Sequence, residues 1–307
     1  MIRLVRRALT LGLLLALVGS CAAKDGTDAT PTPSSDYTAF GSPQRVTITG
    51  YDGDAMEPFL SRDGEILFFN SSGGPTDKDL YHAARVDATT FAYQGELRGV
   101  NTPVVDGAPT MDASDRFYYV STAAYDPPRA FDTLFGGNFD RATGRVTGIT
   151  PLSGLAIQTT GRLNFDLEVS PDGNTLYFND GVFGGNPFPD EADIAVAVRR
   201  GFAFERHPDS ASLMANVNTP DLEYAPAIST DGLELFFTRV SLAQLEPVIM
   251  RSTRPDPASP FGAPERVSAI TGFVEGATLS PDEMSLYYHR AENGGFALYR
   301  VTRSRRF

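Results

Sequence analysis

An all-β fold of five similar four-stranded units, the pattern of a five-bladed β-propeller, is predicted by three features of this sequence. A strand–turn–strand unit recurs along most of its 307 residues. No stretch sustains the i, i+3, i+4 apolar stripe of an amphipathic helix. Two matching segments, Phe40-Gly-Ser-Pro-Gln-Arg-Val46 and Phe261-Gly-Ala-Pro-Glu-Arg-Val267, are placed so that the two ends of the chain complete one unit between them.

The clearest unit is Tyr224-Ala-Pro-Ala-Ile-Ser-Thr-Asp231-Gly232-Leu-Glu-Leu-Phe-Phe237. Asp-Gly between two apolar runs is a hairpin signal, because the turn needs positive φ, which Gly and Asp tolerate. Leu-Phe-Phe after it is bulky and strand-forming. Other copies turn at Asp63-Gly64, Asp172-Gly173 and Asp282, and a weaker one turns at Ser114. Their spacing of about 50 to 60 residues, with room for several strands each, is that of propeller blades. Strand a precedes the turn and strand b follows it. Strand c ends in Arg, in the runs 79–85, 193–199, 248–254 and 297–303. Strand d is expected at Gly95–Val100 and Ser212–Val217, each running into an identical Asn-Thr-Pro at 101–103 and 218–220.

The ends predict how the ring closes. Phe40–Val46 matches a strand d with no a, b or c of its own, and the chain finishes on a strand c at Ala297–Arg303. Pairing the two closes the ring and removes exposed sheet edges.

Ahead of the repeats, Arg3, Arg6 and Arg7 precede an apolar run, Ala8 to Val18, that is short for a membrane span and fits a secretory signal. It ends in Leu17-Val18-Gly19-Ser20-Cys21, which resembles the lipobox of bacterial lipoproteins. That resemblance implies lipidation of Cys21, a signal peptide at 1–20 and attachment to the cell envelope. Ala22 and Ala23 after the Cys imply the periplasmic face of the outer membrane. Residues 21–39 read as a Thr-, Pro- and Ser-containing tether, and 40–307 as the propeller domain.

The net charge of −12 argues against nucleic acid as a partner and against electrostatic docking on anionic lipid. A single Cys excludes a disulfide framework and a zinc site built on several cysteines.

Ser170-Pro-Asp-Gly-Asn-Thr-Leu-Tyr-Phe178, Asn218-Thr-Pro-Asp-Leu-Glu-Tyr-Ala-Pro-Ala-Ile-Ser229 and Asp193-Ile-Ala-Val-Ala-Val-Arg199 resemble the WD40-like PD40 repeat of TolB-type propellers, over about residues 40 to 304. The resemblance implies the fold and leaves function open, because such repeats serve in scaffolds, in binding modules and beside peptidase domains.

Nucleophile elbows, phosphate loops, dinucleotide fingerprints and zinc-protease motifs are absent. His82, His207 and His289 read as packed or solvated residues. Asp52-Gly-Asp54 and Asp190-Glu191-Ala-Asp193 are acidic enough for calcium but lack an EF-hand spacing, and no cofactor is expected. One constellation recurs. Each unit has an acid near the start of strand a: Asp54 or Glu57, Asp106, Asp166, Glu223 and Glu275. Strand a is innermost in a propeller, so these acids are expected to ring one mouth of the central channel, beneath long loops between strands b and c. Such a ring either binds a cationic, peptide or sugar ligand, or holds loop amides between blades. The expected function is a non-catalytic module that binds an envelope protein, a peptide or a glycan. The alternative is a glycan-acting enzyme using two of the carboxylates.

Overall fold

The computed structural model describes residues 36–73, 78–185, 188–201 and 203–306. Five sheets, one per repeat, each have their four main strands in the order a-b-c-d. The innermost strands are Met56–Leu60, Asp106–Met111, Arg162–Val169, Leu222–Ile228 and Val274–Leu279. Successive inner strands are neighbours, and the fifth lies beside the first, so the sheets form a closed ring of five blades.

The Ser-x-Asp turns work alike in four blades, three with Gly after the Asp and the fifth blade with Glu283. Ser170 Oγ donates to Asp172 Oδ1 at 2.6 Å, and that oxygen accepts the Asn174 N–H at 3.0 Å. Ser61, Ser229 and Ser280 bond Asp63, Asp231 and Asp282 in the same way. In the second blade Asp112 takes the serine's place and accepts the Ser114 and Arg116 N–H groups. Asp115 there has φ +60°, doing what Gly64 does at +78°.

The Arg that ends strand c secures the turn of its own blade and reaches the preceding one. Arg199 Nε donates to Gly173 O at 2.5 Å and its Nη2 to the Tyr118 hydroxyl. Arg254 does the same with Gly232 O at 2.7 Å and Tyr177 at 2.8 Å. Arg303 forks onto both oxygens of Glu234 at 2.8 and 2.6 Å. The second blade has no such Arg on strand c; Arg141, just beyond it, pairs with Asp115 and with Asp63 of the first blade.

The Leu-Phe-Phe runs lie between neighbouring blades, which is why both of their faces are apolar: Leu67, Phe68, Phe69, Leu235, Phe236 and Phe237 are all fully buried. Burial of each such side chain contributes about 1.5–3 kcal/mol. A separate cluster fills each junction. Phe59, Phe68, Phe117 and Phe139 join the first blade to the second, and Leu60, Phe69, Phe91, Tyr287 and Leu298 join the first to the fifth.

The ring closes as the ends of the sequence predict. Gln44–Arg45 is the outer strand of the fifth blade, antiparallel to Gly295–Thr302. Thr38 N–H to Ser304 O at 2.8 Å and Val46 N–H to Leu298 O at 2.8 Å extend the seam. Among the described residues it runs from Asp36, whose carbonyl accepts the Arg306 N–H at 2.6 Å, slightly ahead of the expected boundary. Tyr37 donates to Glu283 in the a–b turn of the fifth blade, so the chain joins the fold on the turn face of the ring.

Two strand-d expectations need correction. The outer strand of the first blade is Thr90–Glu96, shifted toward the N-terminus, and it carries an additional parallel strand, Thr47–Thr49. Ser212–Val217 is not a strand. A short helix, Ser210–Leu213, leads into a turn there, and the outer strand of the third blade is Ala203–Arg206. Leu213, Met214 and Val217 are buried together at one-turn spacing, which is helical rather than alternating. Cys21 and the expected signal peptide lie outside the described residues, as does most of the tether.

Candidate ligand site at the channel mouth

Every inner strand carries a β-bulge near its start, with one residue in the left-handed region: Glu57 (φ +49°), Ala108 (+49°), Asp166 (+39°), Ala225 (+52°) and Gly276 (+61°). For a residue other than Gly such a conformation costs about 1–3 kcal/mol and persists only where its surroundings enforce it. A polar residue in the latter half of strand b of the preceding blade supplies much of that enforcement. Ala108 N–H donates to Asn70 Oδ1 at 3.1 Å, Gly276 N–H to Thr238 Oγ1 at 3.2 Å, and Glu57 N–H to His289 Nδ1 at 3.1 Å. Asn179 donates to Glu223 O at 2.6 Å.

The bulges divide the six candidate acids. Asp106 and Glu223 lie two residues before the left-handed position, Glu275 one before it, and Glu57 and Asp166 on it. Side-chain direction alternates along a strand, so the six do not share one face.

Asp106 and Glu223 belong to the Asn-Thr-Pro segments. Asp106 Oδ2 accepts the Thr102 N–H at 2.6 Å and its hydroxyl at 2.7 Å. Glu223 accepts the same two groups of Thr219 at 2.8 and 2.6 Å, and Arg239 Nε at 2.7 Å. The Asn of each motif clamps the start of a strand c: Asn101 bonds both N and O of Leu80, and Asn218 both N and O of Ile194. Burial pushes Asp106 up to about 6 against its hydrogen bonds to Thr102. Asp54 is likewise committed, to Ser72 Oγ at 2.5 Å and Phe296 N–H at 3.0 Å. These three acids hold loops and blades.

Glu57, Asp166 and Glu275 are brought together at the mouth of the channel with Lys78, Tyr224 and His289. All of these but His289 line a cavity of about 110 Å³ whose apolar wall includes Met56, Val105, Val120, Phe165, Phe183 and Phe188. Phe188, from the b–c loop of the third blade, meets Phe273 of the fifth with ring centres 6.5 Å apart, so that loop crosses toward the far side of the mouth.

Lys78 Nζ is 2.7 Å from Glu57 Oε1, and Glu57 Oε2 accepts the Ala108 N–H at 3.0 Å. Burial alone would raise Glu57, but Lys78 above all, with that amide, outweighs it and holds the carboxyl below its usual range. Burial would likewise lower Lys78, yet Glu57 chiefly keeps its ammonium raised. Asp166 goes the other way. Burial and the nearby charge of Glu57 push it well above the ordinary aspartate range, despite Lys78 and the Ala225 N–H. On the fifth blade Glu275 accepts the Tyr224 hydroxyl through Oε1 and His289 Nε2, at 3.3 Å, through Oε2. His289 Nδ1 accepts from Glu57, which leaves the ring proton on Nε2. Burial and Glu275 raise Tyr224 well above its ordinary value. A buried ion pair, an acid disposed to stay protonated and a carboxylate held by a phenol and an imidazole thus share one small cavity. The acid ring expected from sequence omits Lys78, Tyr224 and His289. Composition carried a signal for Lys78, which is the one lysine after Lys24 in a chain otherwise using arginine.

Among the described residues no group of three or more His, Cys, Asp and Glu is arranged to hold a metal ion. Glu191, in one acidic run considered for calcium, pairs with Arg162 at 2.9 Å.

No family model matches the sequence, and no curated protein matches it. Solved structures do resemble it. A glycoside hydrolase aligns at TM-score 0.61 and 12% identity over 88% of this chain and 93% of its own. An endo-arabinase from Bacteroides thetaiotaomicron aligns at TM-score 0.51 and 13% identity over 86% and 97%. A TolB protein from Agrobacterium tumefaciens aligns at TM-score 0.46 and 16% identity over 84% and 78%. At these identities the likeness to the first two is one of fold, and the third is too distant to carry an argument.

Proposed function

We propose that this propeller is a non-catalytic binding module of the cell envelope, tethered through lipid on Cys21, whose ligand enters the cavity at the channel mouth. One observation carries the reading: residues from all five blades converge on a small, largely apolar cavity whose polar groups sit together at one place, the usual layout of a ligand pocket. The chain joins the fold on the turn face, opposite the mouth. A tether leaving from that face would present the mouth to the periplasm. The ligand is an exposed end of a glycan or peptide on an envelope partner, since the cavity admits a chemical group rather than a domain.

The test is a glycan array and a peptide array probed with the detergent-purified full chain and with Val105→Trp, which fills the cavity without removing a charge. Hits lost in the variant support the reading; hits retained, or none, reject it. A second reading, glycoside hydrolysis, is favoured by the opposite displacement of Asp166 and Glu57. That reaction needs one carboxylic acid and one carboxylate. Release of aryl alcohol from aryl glycosides, lost in Asp166→Asn, would support it, and inertness toward a broad glycoside panel would reject it.

A further inference from the structure

We propose that Lys78 sets the selectivity of the mouth. The group bound there is neutral and carries two adjacent hydroxyls, as along one edge of a sugar ring, in preference to an ammonium or a carboxylate. The proposal rests on the reading of the mouth as a ligand site.

Lys78 is built into its place. The Asp106 N–H holds its carbonyl at 2.8 Å. Its stem lies over Gly107, where a Cβ would stand 2.9 Å from Lys78 Cδ. The equivalent residues of the other blades, one before the left-handed position, are Met56, Phe165, Tyr224 and Glu275, and all line the cavity. The second blade leaves that place to the lysine of the first.

An ammonium has three donors. Among the described residues Lys78 Nζ bonds one acceptor, Glu57 Oε1, so two donors remain for a ligand. The carboxylates of Glu57 and Glu275 and the acid group of Asp166 stand near the same ammonium. A cationic ligand would meet Lys78, and an anionic one would meet the carboxylates. A hydroxyl both donates and accepts. Two adjacent hydroxyls accept from Lys78 while donating to a neighbouring carboxylate, and the C–H face of the ring packs on Phe165 and Phe183.

The experiment uses probes that share one carbocycle and differ in polar group: cis-1,2-cyclohexanediol, cyclohexylammonium and cyclohexanecarboxylate. Each is titrated into the full chain by ligand-observed NMR, with Val105→Trp reporting binding at the mouth. The diol is expected to bind at least about ten-fold more tightly than either charged probe, one charge-assisted hydrogen bond being worth that much. Lys78→Met is expected to abolish the preference and strengthen cyclohexylammonium binding. A charged probe that equals or exceeds the diol on the unaltered protein overturns the role given to Lys78 and leaves the mouth as a site. No probe binding that Val105→Trp abolishes overturns both. Should Lys78→Met fail to fold, the ranking on the unaltered protein decides alone.

Discussion

Asn101→Ala tests whether the repeated Asn-Thr-Pro segment is architecture. Leu80 is fully buried at the start of its strand. Its N–H donates to Asn101 Oδ1 at 2.9 Å, and its carbonyl accepts Asn101 Nδ2 at 3.0 Å and the Leu97 N–H at 2.9 Å. Alanine leaves the N–H without a partner, at about 1–3 kcal/mol, and removes one of two bonds to the carbonyl, at about 0.5–1.5 kcal/mol. The expected loss is about 2–4 kcal/mol, read in urea as a lower midpoint at unchanged slope. Asn218→Ala is an internal replicate, because its amide makes the same pair of bonds to Ile194, both at 3.0 Å. The two sites share no partner, so their costs should add in the double variant. Losses below about 0.5 kcal/mol in both single variants would show that water replaces the amide, refuting the clamp.

Three further outcomes are expected. Arg303→Met removes the fork on Glu234 but leaves its Arg251 partner, and should cost about 1.5–3 kcal/mol in the same assay. Deleting residues 36–46 removes the outer strand of the fifth blade and the seam bonds to Leu298 and Ser304, so the melting temperature should fall sharply and the protein should aggregate; an unchanged melt would place those residues outside the fold. Asp106 holds its proton more tightly in the folded chain than in the unfolded one, so its contribution is full below pH about 4 and is lost as pH rises through about 6, by about 3 kcal/mol. Asp106→Asn should remove that segment of the stability–pH curve, and a curve unaltered there would contradict the burial of Asp106.

Much of the fold was legible because each local signal has one structural meaning. Asp-Gly after Ser specifies the turn, Leu-Phe-Phe a strand buried on both faces, and the paired Phe-Gly-x-Pro-x-Arg-Val segments the closure. The site was less legible. Nearness to strand a groups the acids together, but a bulge adds one residue and reverses which side chains face the channel. Glu57-Pro58, Ala108-Pro109 and Ala225-Pro226 mark that register in the sequence, and aligning on them separates Glu57 from Asp106 and Glu223. Lys78 was beyond periodicity altogether, because it reaches the cluster from a b–c loop across Gly107. His289 reads as a packed strand residue, and it is packed. Its part in the site comes from standing where Asn70, Asn179 and Thr238 stand in other blades, at the junction that closes the ring.

The repeated acids divide into those that hold the blades and those that line the mouth. Chemical denaturation of Asp166→Asn beside Glu223→Gln at pH 7 tests it most directly. Burial and the charge of Glu57 disfavour the Asp166 carboxylate, so its amide should leave stability unchanged or raise it. Glu223→Gln loses the Arg239 ion pair and part of the Thr219 bonding, and should cost about 1.5–3 kcal/mol. A loss confined to Glu223→Gln is expected; equal losses in the two variants would make the acids one structural ring.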